Sequence, residues 1–217
     1  MDRSRVALVI PAFNEASTIF TVVTAAIKYG QPIVVNDNSQ DDTAKIAKAA
    51  GAVVVSHVEN QGYDGALESG FREATRLQFD YIITLDADGQ HDPSLLQEFV
   101  AAMEGGFSLV LGVRSSKARL AEHIFAMYTR SRYGVLDPLC GMKGYRRDLY
   151  EHIGHFDTYK SIGTELMLRS IASGTTFKQV HFQVQDRADA PRFGRSIAAN
   201  LKILRALFMW IFGSVRG

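Results

Sequence analysis

The stretch YIITLDADGQHDP, Tyr81 to Pro93, passes from an apolar run into a cluster of carboxylates and then to a proline. Tyr81 to Leu85 is β-branched and aromatic enough for a buried strand, which ends where Asp86 begins. Pro93 suits the first turn of a helix, with Asp92 before it as the N-cap, so Asp86 to Gln90 form a short strand-to-helix loop. Side chains two apart on extended backbone point the same way, which lets Asp86, Asp88 and Gln90 converge on one point. Three oxygen donors suit a hard divalent cation such as Mg²⁺ or Mn²⁺. Turn chemistry also explains a lone D-x-D, and Asp92 needs no other account. The rest of the chain has to decide between the two.

Outward from that loop, apolar strand-like runs alternate with helical patterns: Val6 to Ala12, Ile33 to Asn36, Val53 to Ser56 and Leu109 to Gly112 are the other strands. Such alternation implies βαβ units, an α/β fold with a largely parallel sheet, and ligands bound beyond the carboxyl ends of its strands. Polar residues gather at those ends: Phe13-Asn14-Glu15, Asp37-Asn38-Ser39, Asp86-Ala87-Asp88 and Arg114. Asp41 or Asp42 before Thr43 reads as a helix cap. Capping accounts for any one cluster; it accounts less well for carboxylates at several ends of one sheet. Neither G-x-G-x-x-G nor G-x-x-x-x-G-K-[ST] occurs, which disfavours a dinucleotide fingerprint or a P-loop.

Beyond Arg114 the pattern predicts a helical stretch from Lys117 to Tyr133, a helix from Gly163 to Ser173 and a strand from Phe177 to Gln185. Between the first two lies Asp137 to Arg146, whose glycines suggest close backbone approach near a ligand. Asp186 to Arg195 reads as a loop. With 217 residues, 47% of them hydrophobic, and no linker or repeat, one domain over 1–217 is expected. A net charge of +1 argues against a nucleic-acid binder. The sole cysteine, Cys140, excludes an internal disulfide and fits a reducing, cytoplasmic setting.

The N-terminus has no cleavage site after its short apolar run and reads as the first strand. No run reaches the roughly 18 apolar residues of a membrane span. The tail 196–217 has no acidic residue and mixes Lys202, Arg205 and Arg216 with apolar residues at helical spacing. It suits an interfacial helix on the cytoplasmic face of a membrane, acting alone or through a membrane-protein partner, and equally a helix packed on the core or on another subunit.

Taken together, PAFNE (11–15), VVNDNSQDDT (34–43), NQGYDGALESGFREA (60–74), LDADGQHDP (85–93), GVR (112–114), CGMKGYRR (140–147) and RFGRS (192–196) resemble the inverting family 2 glycosyltransferases. Within them, the polyprenyl-phosphate (dolichol-phosphate) sugar synthases look most similar. The resemblance implies the GT-A fold, a Rossmann-like nucleotide-diphospho-sugar domain with a D-x-D metal site, and a UDP- or GDP-sugar donor. It places Pro11, Phe13 and Glu15 around the base and ribose, and Asp37 against the base. Asp86, Ala87 and Asp88 fall at the diphosphate and metal, with Gln90 as a further metal ligand. It puts Arg114 on the acceptor phosphate, helped by Arg130 or Arg132 on the next helix, and Asp137 near the sugar, while Glu165 matches a glutamate on the following helix. A loop arginine reaches the diphosphate; Arg192 is favoured over Arg187 and Arg195, and Ile197 departs from the lysine common in the family. His91 and His181 lack a paired histidine at ligand spacing and read as structural.

Two chemistries follow. A lipid phosphate, with a second pKa near roughly 6, arrives largely ionised and needs cations rather than a base. A saccharide or protein hydroxyl needs a general base, for which Asp137 and Glu165 are the candidates. A non-catalytic nucleotide-sugar-binding subunit is the alternative of another class; the intact Asp86, Asp88, Gln90 and Arg114 speak against it.

Overall fold

The computed structural model describes residues 5–89, 94–115, 119–183 and 197–213. Its first half repeats strand and helix in turn: β1 (Val6–Ala12), α1 (Ile19–Ala26), β2 (Gln31–Asn36), α2 (Thr43–Ala49), β3 (Val53–Ser56), α3 (Gly62–Arg76), β4 (Tyr81–Thr84), α4 (Leu95–Glu104) and β5 (Leu109–Arg114). The second half adds α5 (Leu120–Tyr133), β6 (Lys143–Arg146), α6 (Arg147–Ile153), α7 (Glu165–Ala172), β7 (Phe177–Phe182) and α8 (Ile197–Phe212).

All seven strands join one sheet in the order β3-β2-β1-β4-β6-β5-β7. Pairing is parallel except at β6, which runs antiparallel between β4 and β5, with Lys143 opposite both Thr84 and Leu111. The expected strands therefore form, and the sheet is mostly parallel. β6 is the addition. Its segment, read from sequence as glycine-rich backbone near a ligand, is a central strand, and Gly144 suits it because a Cβ there would meet Met103 Sδ at 2.9 Å.

Strand periodicity divides the core. On β1, Val6, Leu8, Ile10 and Ala12 face one apolar layer, built with Val23 of α1 and Leu96 and Phe99 of α4. Ala7 and Val9 face the other, built with Phe71 of α3, Phe125 of α5, Leu166 of α7 and Trp210 of α8. Near-continuous burial along β1 is what a sheet covered on both faces demands. α8 packs beside α5: Asn200 Oδ1 accepts from the Ala121 N–H at 3.2 Å, and Trp210 meets Tyr133 edge-on at 6.4 Å, so the two helices run in the same direction. The buried face of α8 is Ala199, Ile203, Ala206, Leu207 and Trp210.

The sequence assigned the cap of the fourth helix to Asp92, which lies outside the described residues; Ser94 stands at the N-cap position of α4. At α2, Asp42 stands at the N-cap position without a side-chain cap bond, and Asp41 before it accepts the Thr43 N–H at 3.0 Å and the Ala16 N–H at 3.1 Å, tying the helix start to the loop after β1.

Candidate active site

The carboxyl ends of β1, β2, β4 and β5 border one region, and each delivers polar side chains to it. After β1 the chain turns through Asn14 at φ 55°, a left-handed position that asparagine tolerates. Asn14 N–H donates to Ser39 Oγ at 2.9 Å and the Glu15 N–H to Thr43 Oγ1 at 2.8 Å, which laces this loop to the one after β2. Pro11 is half-buried in β1, Glu15 is nearly enclosed, and Phe13 is 41% exposed, enough to meet a planar ligand.

Asp37, after β2, is held from four sides. Its Oδ1 meets His57 Nδ1 at 2.7 Å and the Gln61 N–H at 2.8 Å, and its Oδ2 takes the Gly62 N–H at 2.8 Å. Its carbonyl accepts from Asn60 Nδ2 at 3.2 Å. His57 Nε2 lies 2.9 Å from Ser69 Oγ, so a buried chain from α3 orients this carboxylate.

At the end of β4, Asp86 is half-buried and Ala87 buried beside Asp88. The Tyr63 hydroxyl donates to Asp86 Oδ1 at 3.4 Å. Burial, and then the Asp86 charge, raise the Tyr63 pKa well above its ordinary value, so it stays a donor. Gly141, just before β6, passes so close that a Cβ would lie 2.7 Å from Asp86 Cγ. The glycine noted in the sequence is thus a requirement of the Asp86 carboxylate. Lys143 follows, fully enclosed, with its Nζ donating to the Cys140 carbonyl at 2.7 Å. Burial lowers the Lys143 pKa, opposed by the nearby charges of Asp137 and Asp86, while burial pushes the Cys140 thiol up to about 12 and keeps it neutral.

Among the described residues no three His, Cys, Asp or Glu side chains group to hold a metal. Gln90, the third expected ligand, lies outside them, as do Arg192, Arg187, Arg195 and His91. Asp86 and Asp88 by themselves supply hard carboxylate oxygens of the kind Mg²⁺ and Mn²⁺ prefer.

The end of β5 carries a charge network. Asp137 accepts from Arg114 Nε at 2.8 Å, Nη2 at 2.9 Å and the backbone N–H at 3.1 Å. Burial would lower the Arg114 pKa; Asp137 outweighs it and raises it. Arg114 Nη2 also reaches Glu122 at 3.1 Å, and Glu122 takes Arg119 Nη1 at 2.6 Å. Among the described residues, Arg114, Arg119 and Glu122 line a cleft of about 100 Å³ together with Leu139, Ile162 and Ile203.

Arg130 and Arg132 are not there. They are exposed in the last turn of α5, and Arg130 is about 12 Å along the helix from Glu122 at the usual rise per residue. Arg119, three residues before Glu122, is the second arginine that the fold brings to Arg114, and its spacing from a helical glutamate was the available signal. Asp137 and Glu165 are also separated in role. Glu165 is fully buried and receives Thr158 Oγ1 at 2.8 Å, Arg169 Nε at 2.9 Å and His155 Nε2 at 3.2 Å. It anchors the segment before α7.

Residues 7–154 match the model of the family described as Glycosyl transferase family 2. An uncharacterized glycosyltransferase of Mycobacterium tuberculosis is 30% identical over 80% of this chain and 82% of its own length. The undecaprenyl-phosphate 4-deoxy-4-formamido-L-arabinose transferase of Yersinia enterocolitica is 28% identical over 94% of this chain, which spans 65% of that longer protein. Among solved structures, glucosyl-3-phosphoglycerate synthase from M. tuberculosis with Mg²⁺ and uridine diphosphate superposes with a TM-score of 0.77 at 22% identity, covering 95% of this chain and 79% of that one. The same enzyme with Mn²⁺, UDP-glucose and phosphoglyceric acid gives a TM-score of 0.72. These likenesses establish the GT-A fold.

Proposed function

We propose a donor, an acceptor and a division of labour for this chain, which belongs to glycosyl transferase family 2 and is a glycosyltransferase. The donor is a UDP- or GDP-sugar and the acceptor a polyprenyl phosphate, with inversion at the anomeric carbon. One observation carries the reading: two arginines, Arg114 and Arg119, share a cleft with an apolar wall of Leu139, Ile162 and Ile203. A phosphate monoester on a hydrocarbon chain matches both halves, its oxygens meeting guanidinium groups and its chain the aliphatic side chains.

In the transfer, a phosphate oxygen attacks the anomeric carbon as the bond to the nucleoside diphosphate breaks, and the bond's electron pair leaves with the diphosphate. Phe13, Glu15 and Asp37 hold the nucleoside. Asp86 and Asp88 would hold Mg²⁺ or Mn²⁺, which supplies charge neutralisation at the departing diphosphate. Because the acceptor arrives ionised, no side chain has to remove a proton. That agrees with the state of both candidate bases: Asp137 is committed to Arg114, and Glu165 to Thr158, Arg169 and His155. Asp137 serves instead to fix the Arg114 guanidinium at the cleft through its Nε and Nη2 groups.

No helix among the described residues is long and apolar enough to cross a membrane. α8 nevertheless presents Ile197, Leu201, Leu204, Phe208 and Phe212 outward, and Leu120 and Met127 of the parallel α5 are exposed beside it. With Lys202 and Arg205 exposed on the same helix, this face suits an anionic lipid surface on which the acceptor chain would lie.

Purified protein incubated with UDP- and GDP-sugars, a short polyprenyl phosphate and Mg²⁺ or Mn²⁺ should form a glycosyl phospholipid, and EDTA should stop it. Turnover that persists in EDTA would sink the metal role. Transfer to a free polyprenol or to phosphoglycerate, with none to polyprenyl phosphate, would overturn the acceptor.

A further inference from the structure

Ile162 has φ +59°, and Gly163 beside it has φ +69°. Left-handed backbone is ordinary for the glycine and a true outlier for a β-branched residue, because its Cβ substituents crowd the backbone. The segment is held in this shape by side chains that accept its N–H groups. Asp64 takes Ile162 N–H at 3.2 Å and Gly163 N–H at 2.6 Å. Asp157 takes Lys160 and Ser161, at 2.8 and 2.7 Å. Arg205 of α8 donates to the Tyr159 carbonyl at 2.8 Å, fastening the same segment to the helix that supplies Ile203.

Loop geometry alone is served better by glycine or asparagine at position 162. One side of Ile162 packs against the apolar layer that includes Ile203, and the residue is only half-buried, so the rest of its surface is left for the cleft. That free surface lines the cleft that holds Arg114 and Arg119, together with Leu139 and Ile203. Strained conformations persist where the surroundings enforce them and the side chain is used.

We infer that Ile162 is a specificity-determining residue of the acceptor cleft, held in place by Asp64, and that it selects phosphate monoesters of a hydrocarbon chain over those carrying a second charged group. The inference rests on the acceptor reading above and deepens it. With the phosphate on the arginines, a second anionic group would meet, among the described residues that line the cleft, the Glu122 carboxylate and the aliphatic side chains of Leu139, Ile162 and Ile203, an arrangement that rejects a ligand more strongly than a missing contact does. A prenyl chain gains there instead.

The test is equilibrium binding, by calorimetry, of a short prenyl phosphate and of 3-phosphoglycerate to the parent, Ile162→Gly and Ile162→Val. The parent should prefer the prenyl phosphate. Ile162→Gly should lose about tenfold or more of that preference while keeping its affinity for the nucleotide, and Ile162→Val should stay within about threefold of the parent. Thermal unfolding of Ile162→Gly should not fall far below the parent, since glycine relieves the backbone; a variant that does unfold leaves Ile162→Val against Ile162→Asn to decide on the same ratio. An unchanged ratio in the glycine or asparagine variant, or no preference in the parent, overturns the inference. A parent that binds prenyl phosphate selectively but transfers no sugar to it leaves Ile162 as assigned and refutes the proposed reaction.

Discussion

Replacing Gly141 by alanine should disable the enzyme without unfolding it. The added Cβ would lie 2.7 Å from both Cγ and Oδ1 of Asp86, and closer still to Oδ2, where ordinary contact begins at 3.4 Å. The closest contact, to Oδ2, sets the movement: the carboxylate must retreat by roughly 1 Å, and Gly141 cannot retreat easily because Thr84 Oγ1 donates to its carbonyl at 2.5 Å. Asp86 is a half-buried side chain at a strand end and can swing, so the clash is relieved there. Gly141 is not among the residues with positive φ, so alanine adds no backbone strain and the stability change should stay within about 1 kcal/mol. A misplacement near 1 Å at a reacting centre costs about a hundredfold in rate. Transfer rate, nucleotide affinity by calorimetry and thermal unfolding would be measured on one preparation. Gly144→Ala is the contrast, since its Cβ would meet Met103 Sδ at 2.9 Å in the core and should lower stability by about 1–3 kcal/mol, with nucleotide affinity kept by the folded protein. A Gly141→Ala enzyme that turns over at the parental rate would refute the role given to Asp86.

Arg119→Ala should raise the acceptor KM by about tenfold to a hundredfold through loss of a charge-assisted contact, with nucleotide affinity unchanged, whereas Arg130→Ala should change it less than about twofold; equal effects in steady-state kinetics would mean the cleft is not the acceptor site. Asp64 gives a pH dependence: burial, and then the Asp157 charge, push its pKa up to about 6. A carboxyl with a raised folded pKa contributes stability that is present below its unfolded pKa and lost as pH rises through the folded value. Compared with Asp64→Asn in urea unfolding, the parent should therefore gain about 2–3 kcal/mol between pH 7.5 and pH 4, and a pH-independent difference would contradict this.

Several features are readable from the chain because they are local. The apolar runs at Val6 to Ala12 and Tyr81 to Thr84, spaced by helical segments, imply a parallel sheet, since a strand buried on both faces has to be apolar throughout. Where each run stops, the first polar side chains necessarily fall at a carboxyl end, so Asp37, Asp86 and Arg114 could be assigned to one edge before any pairing was known.

Tertiary structure decided which of those groups meet. β6, KGYR, carries no alternation that marks a strand, and its place between β4 and β5 is a matter of long-range register. That insertion brings Gly141 against Asp86 and encloses Lys143 beneath the site. The choice of Arg119 over Arg130 depended on which end of α5 faces the end of β5, which helical periodicity leaves open because an arginine stands at the N-cap and another in the last turn. Asp137 and Glu165 look alike in sequence, one before a proline and one after a threonine. Their fates differ because burying a carboxylate requires a partner: Asp137 found Arg114 across 23 residues, and Glu165 found Arg169 one turn along its own helix.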